Sequence, residues 1–287
     1  MKPDSRFLNQ PKHFWANVRT IGQHVGYTVR GTGQILVPDL RVIVEALGEL
    51  GLGTSHLVDD SGEPTATGTS LVAYFAYRAD ILNKVVEPRL MNAEQAAKAF
   101  ARVKKATKSR LPVPMNKQKG DKKKPAYLTA IVNMLIDASV GGIECDYDPR
   151  KLTTFTHMGA PLRTLARRVD GAFPCAVNPI AVWEIKEYYY TTTFGSRVAD
   201  GVYETLLDGM ELEELRQSEK VDCRHYLMID ARFTWWDCGR SYLCRIVDML
   251  HMAYVDEVLV GTEVLDRMPE LAKEWVALHK AREQPRK

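Results

Sequence analysis

The chain has 287 residues, of which 45% are hydrophobic and 26% charged, and a formal net charge of +3. These proportions are ordinary for a soluble globular protein, and the length provides for a core in one large or two modest domains. The first residues lead into no apolar signal core, and no uncharged run is long enough to span a bilayer. We therefore predict a cytoplasmic protein without membrane contact.

The five cysteines argue against a disulfide framework, because their number is odd and their spacing is irregular. A zinc site built on Cys223, His225 and Cys238 would lack the usual C-x2-C pair. Cys244 lies within an apolar helical stripe. We therefore predict buried structural cysteines rather than a metal site of this kind.

Positive charge is concentrated in residues 104–124, which carry nine Lys or Arg side chains and one acid, a net of +8. The remainder of the chain therefore has a net charge of −5. A local positive field is typical of a loop that binds a polyanion, although a solvated linker has the same composition. We predict a basic linker or loop whose DNA contacts are Lys117, Lys119, Lys122, Lys123 and Lys124.

The first hundred residues are predicted to be mainly helical. Residues 1–36 show no assignable pattern. A helix opens at Asp39, another covers residues 70–88, and a third is capped by Asn92. We assign residues 1–103 to an N-terminal region whose role is open between DNA recognition and dimerisation.

From residue 125 onwards, helices and strands alternate. The predicted elements are a helix at 125–139, strands at 143–146, 162–169 and 180–190, a helix from Gly195 to Gly209, a strand at 226–230, a helix at 239–252, a strand at 255–260 and a terminal helix starting at Pro269. This order favours an α/β sheet with parallel crossover connections.

The run around Trp183 contains the strongest chemical signal. Alternate side chains of a strand point to opposite faces, so Glu184 and Lys186 would project together from one face of a sheet. Asp170 ends the preceding predicted strand, and adjacent strands would bring the three charged groups into one cluster. Two carboxylates and an ammonium can hold a divalent metal and a water beside a phosphate.

The order of a helix, a strand ending in Asp170, a strand carrying Glu184-x-Lys186, a helix and a buried strand resembles the PD-(D/E)xK superfamily, the restriction-endonuclease-like fold. The resemblance covers roughly residues 125–260 and implies an α/β fold with a mixed central sheet flanked by helices. It implies that Asp170 and Glu184 bind Mg2+, for which Mn2+ would substitute. It also implies that Lys186 activates the attacking water or faces the phosphate. Val169 stands where the superfamily pattern has proline before the acid.

Many members of the superfamily complete the metal site with an acid from a helix. Asp137 and Glu144 both qualify here, and Glu144 is our predicted third metal ligand. Arg167 and Arg168, shortly before the first acid, and Arg197, at the start of the following helix, are candidate phosphate contacts. Ordinary surface charge is the alternative for all three arginines.

A structural interpretation of the same residues stays open. The Asp-Gly pair at 170–171 can form a hairpin turn, and Glu184 with Lys186 can form a solvated strand face or an ion pair. The Trp235-Trp236 pair is predicted to lie in the core, the alternative being exposed rings that stack on bases.

We predict three parts: a helical region at 1–103, a basic linker or loop at 104–124, and a nuclease core at 125–287. The predicted function is an Mg2+-dependent endonuclease acting on double-stranded DNA, most like a type II restriction enzyme or a related defence nuclease. Since one site per chain must cut two strands, a homodimer is expected. No organic cofactor is expected. The alternative is a non-catalytic nucleic-acid-binding protein on the same fold.

Overall fold

The computed structural model describes residues 1–116, 120, 123–190 and 195–283 of the chain. Its helices are α1 (Lys12–Val25), α2 (Leu40–Glu49), α3 (Ala66–Ile81), α4 (Glu87–Arg89), α5 (Ala93–Thr107), α6 (Tyr127–Asp137), α7 (Ser196–Glu219), α8 (Arg240–His251) and α9 (Val264–Glu283). Its strands are β1 (Asp146–Tyr147), β2 (Thr154–His157), β3 (Ala160–Thr164), β4 (Gly171–Phe173), β5 (Ala181–Glu187), β6 (Arg224–Asp230) and β7 (Glu257–Val260). None of the helices within these described ranges is long and apolar enough to cross a membrane.

Five strands form one mixed sheet in the order β1, β4, β5, β6, β7. β4 pairs antiparallel with β1 and β5, whereas β6 pairs parallel with β5 and β7. The parallel connections pass through α7 and α8, as parallel pairing requires a crossover. β2 and β3 form a separate antiparallel hairpin. The α/β class predicted from the order of the elements is therefore confirmed, with a sheet of mixed direction.

The centre of the sheet is buried on both faces. On one face, α5, α6 and α9 cover an apolar cluster in which the rings of Trp183 and Trp275 stack 5.3 Å apart. On the other face, α7 and α8 cover the sheet, and Val182 shares an apolar cluster with Leu212. All residues from 181 to 186 are buried. Burial on both faces explains the nearly continuous apolar run of β5.

The N-terminal helices α1, α2 and α3 pack around their own apolar cluster, which contains Phe14 and Tyr74. The predicted helical character of this region is confirmed. α5 packs instead on α6, and its Ala96 and Val103 lie in the cluster that supports the sheet. By packing, the sheet-bearing core therefore begins with α5, inside the region 1–103 that the sequence assigned to the N-terminal part.

The helix starts predicted at Asp39 and Asn92 are both capped, the second by the predicted residue. The Asp39 carboxylate accepts a hydrogen bond from the Val42 N–H at 2.9 Å at the start of α2. At the start of α5, Asn92 and Gln95 form a reciprocal capping box. Each cap satisfies N–H groups that the first helical turn leaves unpaired.

The strand predicted at residues 162–169 was wrong in position. Residues 160–164 form β3 of the separate hairpin, and Asp170 directly precedes β4 instead of ending a strand. β4 begins with Gly171. A larger residue would not fit here, because a Cβ at this position would lie 2.1 Å from the Trp183 indole. The start of β4 therefore depends on the packing of a residue that is remote in sequence.

Two predicted helix boundaries were also wrong. α7 continues through Gly209 to Glu219, because Gly209 allows close packing and does not end the helix. A Cβ at Gly209 would lie 2.3 Å from the Tyr254 carbonyl oxygen. α9 begins at Val264, so Pro269 lies inside the helix and not at its start.

Candidate active site

β4 and β5 bring Asp170 and Glu184 side by side. Gly171 pairs with Trp183, and the antiparallel register continues to Asp170 opposite Glu184. The Asp170 N–H donates to the Trp183 carbonyl at 3.1 Å and to Glu184 Oε1 at 3.2 Å. In return, the Ile185 N–H donates to Asp170 Oδ2 at 2.8 Å. Asp170 therefore extends the pairing of the two strands, and the Asp-Gly pair does not form a hairpin turn.

Glu184 and Lys186 share the face of β5 that α7 covers. The Lys186 ammonium donates to Glu184 Oε2 at 2.7 Å and to Glu204 Oε2 of α7 at 2.9 Å. The Glu184 side chain is fully buried and that of Lys186 is 10% exposed, so this is not a solvated strand face. The buried Trp235 donates its indole N–H to the Lys186 carbonyl at 3.2 Å, which agrees with its predicted place in the core.

α7 contributes two acids that the sequence analysis did not select, Glu204 and Asp208. They are four residues apart, so they lie on one face of the helix. Gly201 allows the close approach of α7, because a Cβ there would lie 2.7 Å from the Tyr188 hydroxyl and 3.2 Å from Lys186 Cδ. In the sequence, Glu204 and Asp208 could have been recognised by their four-residue spacing on the helix that follows the Glu-x-Lys strand.

Arg167 lies at the centre of the cluster. Its guanidinium contacts Glu184 at 2.9 Å, Asp208 at 2.5 Å and Glu204 at 3.4 Å. The neighbouring Arg168 is exposed. The segment between β3 and β4 therefore directs one arginine into the carboxylates and leaves the next one in solvent.

Burial and ion pairing oppose each other in this cluster. Burial alone would raise the pKa of Glu184, but the charges of Lys186 and Arg167 hold it below its ordinary value. Burial alone would lower the pKa of Lys186, but Glu184 and Asp170 raise it. For Asp208, burial and the nearby charge of Glu184 raise the pKa to about 7. At neutral pH, Glu184 is therefore a carboxylate and Lys186 an ammonium.

Glu144, the predicted third metal ligand, does not join the cluster. It is exposed and precedes β1, in which Asp146 pairs with Ala172. This antiparallel register carries Glu144 toward the far end of β4, away from Asp170. The acids that do approach the cluster come from α7.

The other predicted DNA contacts are either exposed in the structure or fall outside the described residues. Those that the structure describes are all exposed: Arg168, Arg197, Lys123 and Lys124. Those outside the described residues are Lys117, Lys119 and Lys122. The Tyr188 hydroxyl donates to the Arg197 carbonyl at 3.1 Å, which holds the first turn of α7 beside the end of β5.

The first turn of α6, which follows the basic segment, is held at the carboxyl end of β5. Glu187, the last residue of β5, accepts hydrogen bonds from the N–H groups of Leu128 at 3.0 Å and Thr129 at 3.1 Å in the first turn of α6. Ahead of α6, the Asn116 N–H donates to the Lys124 carbonyl at 2.9 Å and pairs two sides of the segment. The basic residues that directly precede α6 are therefore anchored at the same end of the sheet as the cluster.

The donors suit a hard divalent cation such as Mg2+, which prefers carboxylate oxygens. Among the described residues, no three side chains of His, Cys, Asp or Glu already lie in an arrangement that could hold a metal ion. The Arg167 guanidinium lies among the carboxylates and binds them. Asp208 Oδ1 is buried and receives no hydrogen bond from any described residue. The carboxylates of the cluster are therefore the kind of ligand that Mg2+ prefers. In the structure, Arg167 is bound to them.

The described residues thus define a mixed α/β protein with a buried cluster of carboxylates, lysine and arginine at one end of its central sheet. Two family models match the chain, and each is described as a domain of unknown function: DUF7687 over residues 91–275 and DUF7690 over residues 1–85. The chain belongs to the DUF7687 family, whose model covers more than half of it. No curated protein matches the chain, and no solved structure does.

Proposed function

We propose that the chain is an Mg2+-dependent deoxyribonuclease of the PD-(D/E)xK kind that cuts double-stranded DNA as a restriction or related defence endonuclease. One observation carries the proposal. Asp170, directly before β4, lies beside Glu184 of β5, and Lys186 projects beside Glu184 from the same face of β5. The chain order also supports it: α6, β1, the β2–β3 hairpin, β4, β5, α7 and β6, with β5 and β6 parallel.

In this proposal, Asp170 and Glu184 are the ligands of Mg2+. Bound Mg2+ would neutralise charge on the phosphoryl oxygens and lower the pKa of a coordinated water. Lys186 supplies a fixed positive charge for the scissile phosphate, because the carboxylates around it raise its pKa and keep it protonated. Trp235 binds the Lys186 carbonyl and restrains the backbone that carries the ammonium.

DNA would approach the cluster from its exposed edge, where the Glu204 side chain is 44% exposed. Arg168, Arg197, Lys123 and Lys124 are exposed, and in this proposal they supply positive charge for phosphate contacts. The described part of each chain holds one such cluster, so cutting both strands favours a homodimer.

Asp170→Asn tests the proposal with little structural disturbance, because asparagine keeps an oxygen for the Ile185 N–H. We expect the wild-type protein to cut plasmid DNA with Mg2+ and not with EDTA. Asp170→Asn and Lys186→Met should each lose at least about 100-fold of this activity. Lys151→Met changes an exposed lysine before β2 and is the matched control. Equal cleavage by all four folded proteins, or none by any of them, would refute the proposal.

A non-catalytic nucleic-acid-binding protein is the second candidate, and one observation favours it. Both carboxylate oxygens of Glu184 are engaged, by Arg167 and by Lys186. This candidate predicts DNA binding that weakens with salt, without Mg2+-dependent cutting of methylated, unmethylated or single-stranded DNA. Fluorescence anisotropy across a salt series, beside the cleavage assay, separates the two functions. Absence of DNA binding would count against both.

A further inference from the structure

Glu204 and Asp208 approach Glu184 from α7 by sharing its two cationic partners. Glu184 Oε2 and Glu204 Oε2 contact the same Lys186 nitrogen, at 2.7 and 2.9 Å. Glu184 Oε1 and Asp208 Oδ2 contact the same Arg167 nitrogen, at 2.9 and 2.5 Å. Glu204 therefore meets Glu184 across Lys186, and Asp208 meets Glu184 across Arg167, so a metal ion bound by all three acids requires these side chains to move.

Asp208 Oδ1 indicates that the cluster can accept a further ligand in addition to its ion pairs. The Asp208 side chain is fully buried, and no described residue donates a hydrogen bond to this oxygen. A buried polar atom without a hydrogen-bond partner destabilises the folded state. A carboxylate oxygen is an acceptor, so the group that would satisfy it is a cation or a proton donor.

The charges of the cluster are unbalanced. Within the described residues it contains four carboxylates, those of Asp170, Glu184, Glu204 and Asp208, and two cations, Arg167 and Lys186. With Asp208 ionised, the cluster has an excess of two negative charges, which the two positive charges of one divalent cation would balance. The Arg167 side chain is 22% exposed and that of Lys186 10%, so Arg167 is the more exposed of the two cations.

We propose that Glu204 and Asp208 are ligands of the divalent cation together with Glu184, and that the Arg167 guanidinium competes with the cation for these carboxylates. This inference rests on the proposed metal-dependent function and assigns the further acids to α7 in place of Glu144. Arg167 would hold the carboxylates in position until the cation binds. The metal site would then be assembled between β5 and α7.

Direct binding of Mn2+ to the full-length protein, measured by titration calorimetry, tests the assignment without recourse to activity. Asp208→Asn and Glu204→Gln should each weaken Mn2+ binding at least about tenfold. Arg167→Met should tighten it, because the competing guanidinium is gone. Glu214→Gln changes an exposed acid further along α7, paired with Arg163, and should bind Mn2+ as the wild type does.

The outcomes separate this inference from the proposed function when plasmid cleavage is measured on the same samples. Wild-type affinity in both folded α7 variants, with cleavage present in the wild type, would overturn the α7 assignment alone. Weakened Mn2+ binding in the α7 variants, with no cleavage by the wild type, would support the assignment and refute the nuclease. Absence of Mn2+ binding by the wild type would overturn both. Circular dichroism verifies that each variant is folded. Because the Glu204 side chain is 44% exposed, Glu204→Gln tests the assignment even if Asp208→Asn unfolds.

Discussion

Asp230 ends β6 with a side chain that is fully buried. Its carboxylate accepts hydrogen bonds from the N–H groups of Met91 at 2.7 Å and Ala231 at 2.8 Å, and from the Tyr189 hydroxyl at 2.5 Å. Burial nevertheless dominates and raises the pKa of Asp230 to about 7. In an unfolded chain the pKa of aspartate is about 3.9, so between these two values the folded state binds more protons than the unfolded state.

The free energy of unfolding should therefore fall as the pH rises from about 4 to about 7, by at most about 4 kcal/mol from Asp230. Asp230→Asn should remove this contribution, because its oxygen still accepts the two N–H groups and its amide can donate to the Tyr189 hydroxyl. Urea unfolding of both proteins across this pH range measures the difference. Asp237→Asn changes an exposed carboxyl nearby and is the control. Parallel pH profiles for Asp230→Asn and the wild type would contradict the prediction.

At the scale of elements, Glu187 joins β5 to α6. Its carboxylate accepts the Leu128 and Thr129 N–H groups and the Thr129 hydroxyl, the last at 2.6 Å, and so caps the first turn of α6. We expect Glu187→Ala to lower the free energy of unfolding by about 2 kcal/mol, the upper range for the loss of a helix cap. Glu94→Ala removes an exposed glutamate in the first turn of α5 and should change it by less than about 0.5 kcal/mol. If Glu187→Ala and Glu94→Ala changed the free energy of unfolding equally in urea, the capping of α6 by Glu187 would not contribute to stability.

Local sequence patterns predicted those elements whose own residues show how they pack. The strand of Glu184 was found because burial on both faces leaves an apolar run. β4 was misplaced because it has three residues and its start depends on the indole of Trp183 above Gly171. The site divides in the same way. The Glu-x-Lys pair lies within one strand, whereas Glu204 and Asp208 meet it only through the packing of α7 on β5.

At the scale of the whole molecule, a buried ion pair joins the N-terminal helices to the sheet-bearing core. Arg78 of α3 contacts both carboxylate oxygens of Asp248 of α8, at 3.0 and 3.1 Å, and is 1% exposed. The Tyr74 hydroxyl donates to the same carboxylate at 2.6 Å. The guanidinium also lies 4.9 Å from the ring centre of Phe75. No local pattern in α3 or α8 predicts the pairing of Arg78 with Asp248, because the two residues are 170 positions apart in the chain.

The ion pair makes the two parts of the molecule depend on each other for stability. Arg78→Met leaves the Asp248 charge buried without its partner and should lower the free energy of unfolding by about 3–5 kcal/mol. Adding Asp248→Asn removes that charge and keeps an oxygen for the Tyr74 hydroxyl, so the double variant should be more stable than Arg78→Met. Urea unfolding of the wild type, both single variants and the double variant gives the coupling energy. A double variant no more stable than Arg78→Met would mean that apolar packing of α3 on α8, and not the charge pair, joins the two parts.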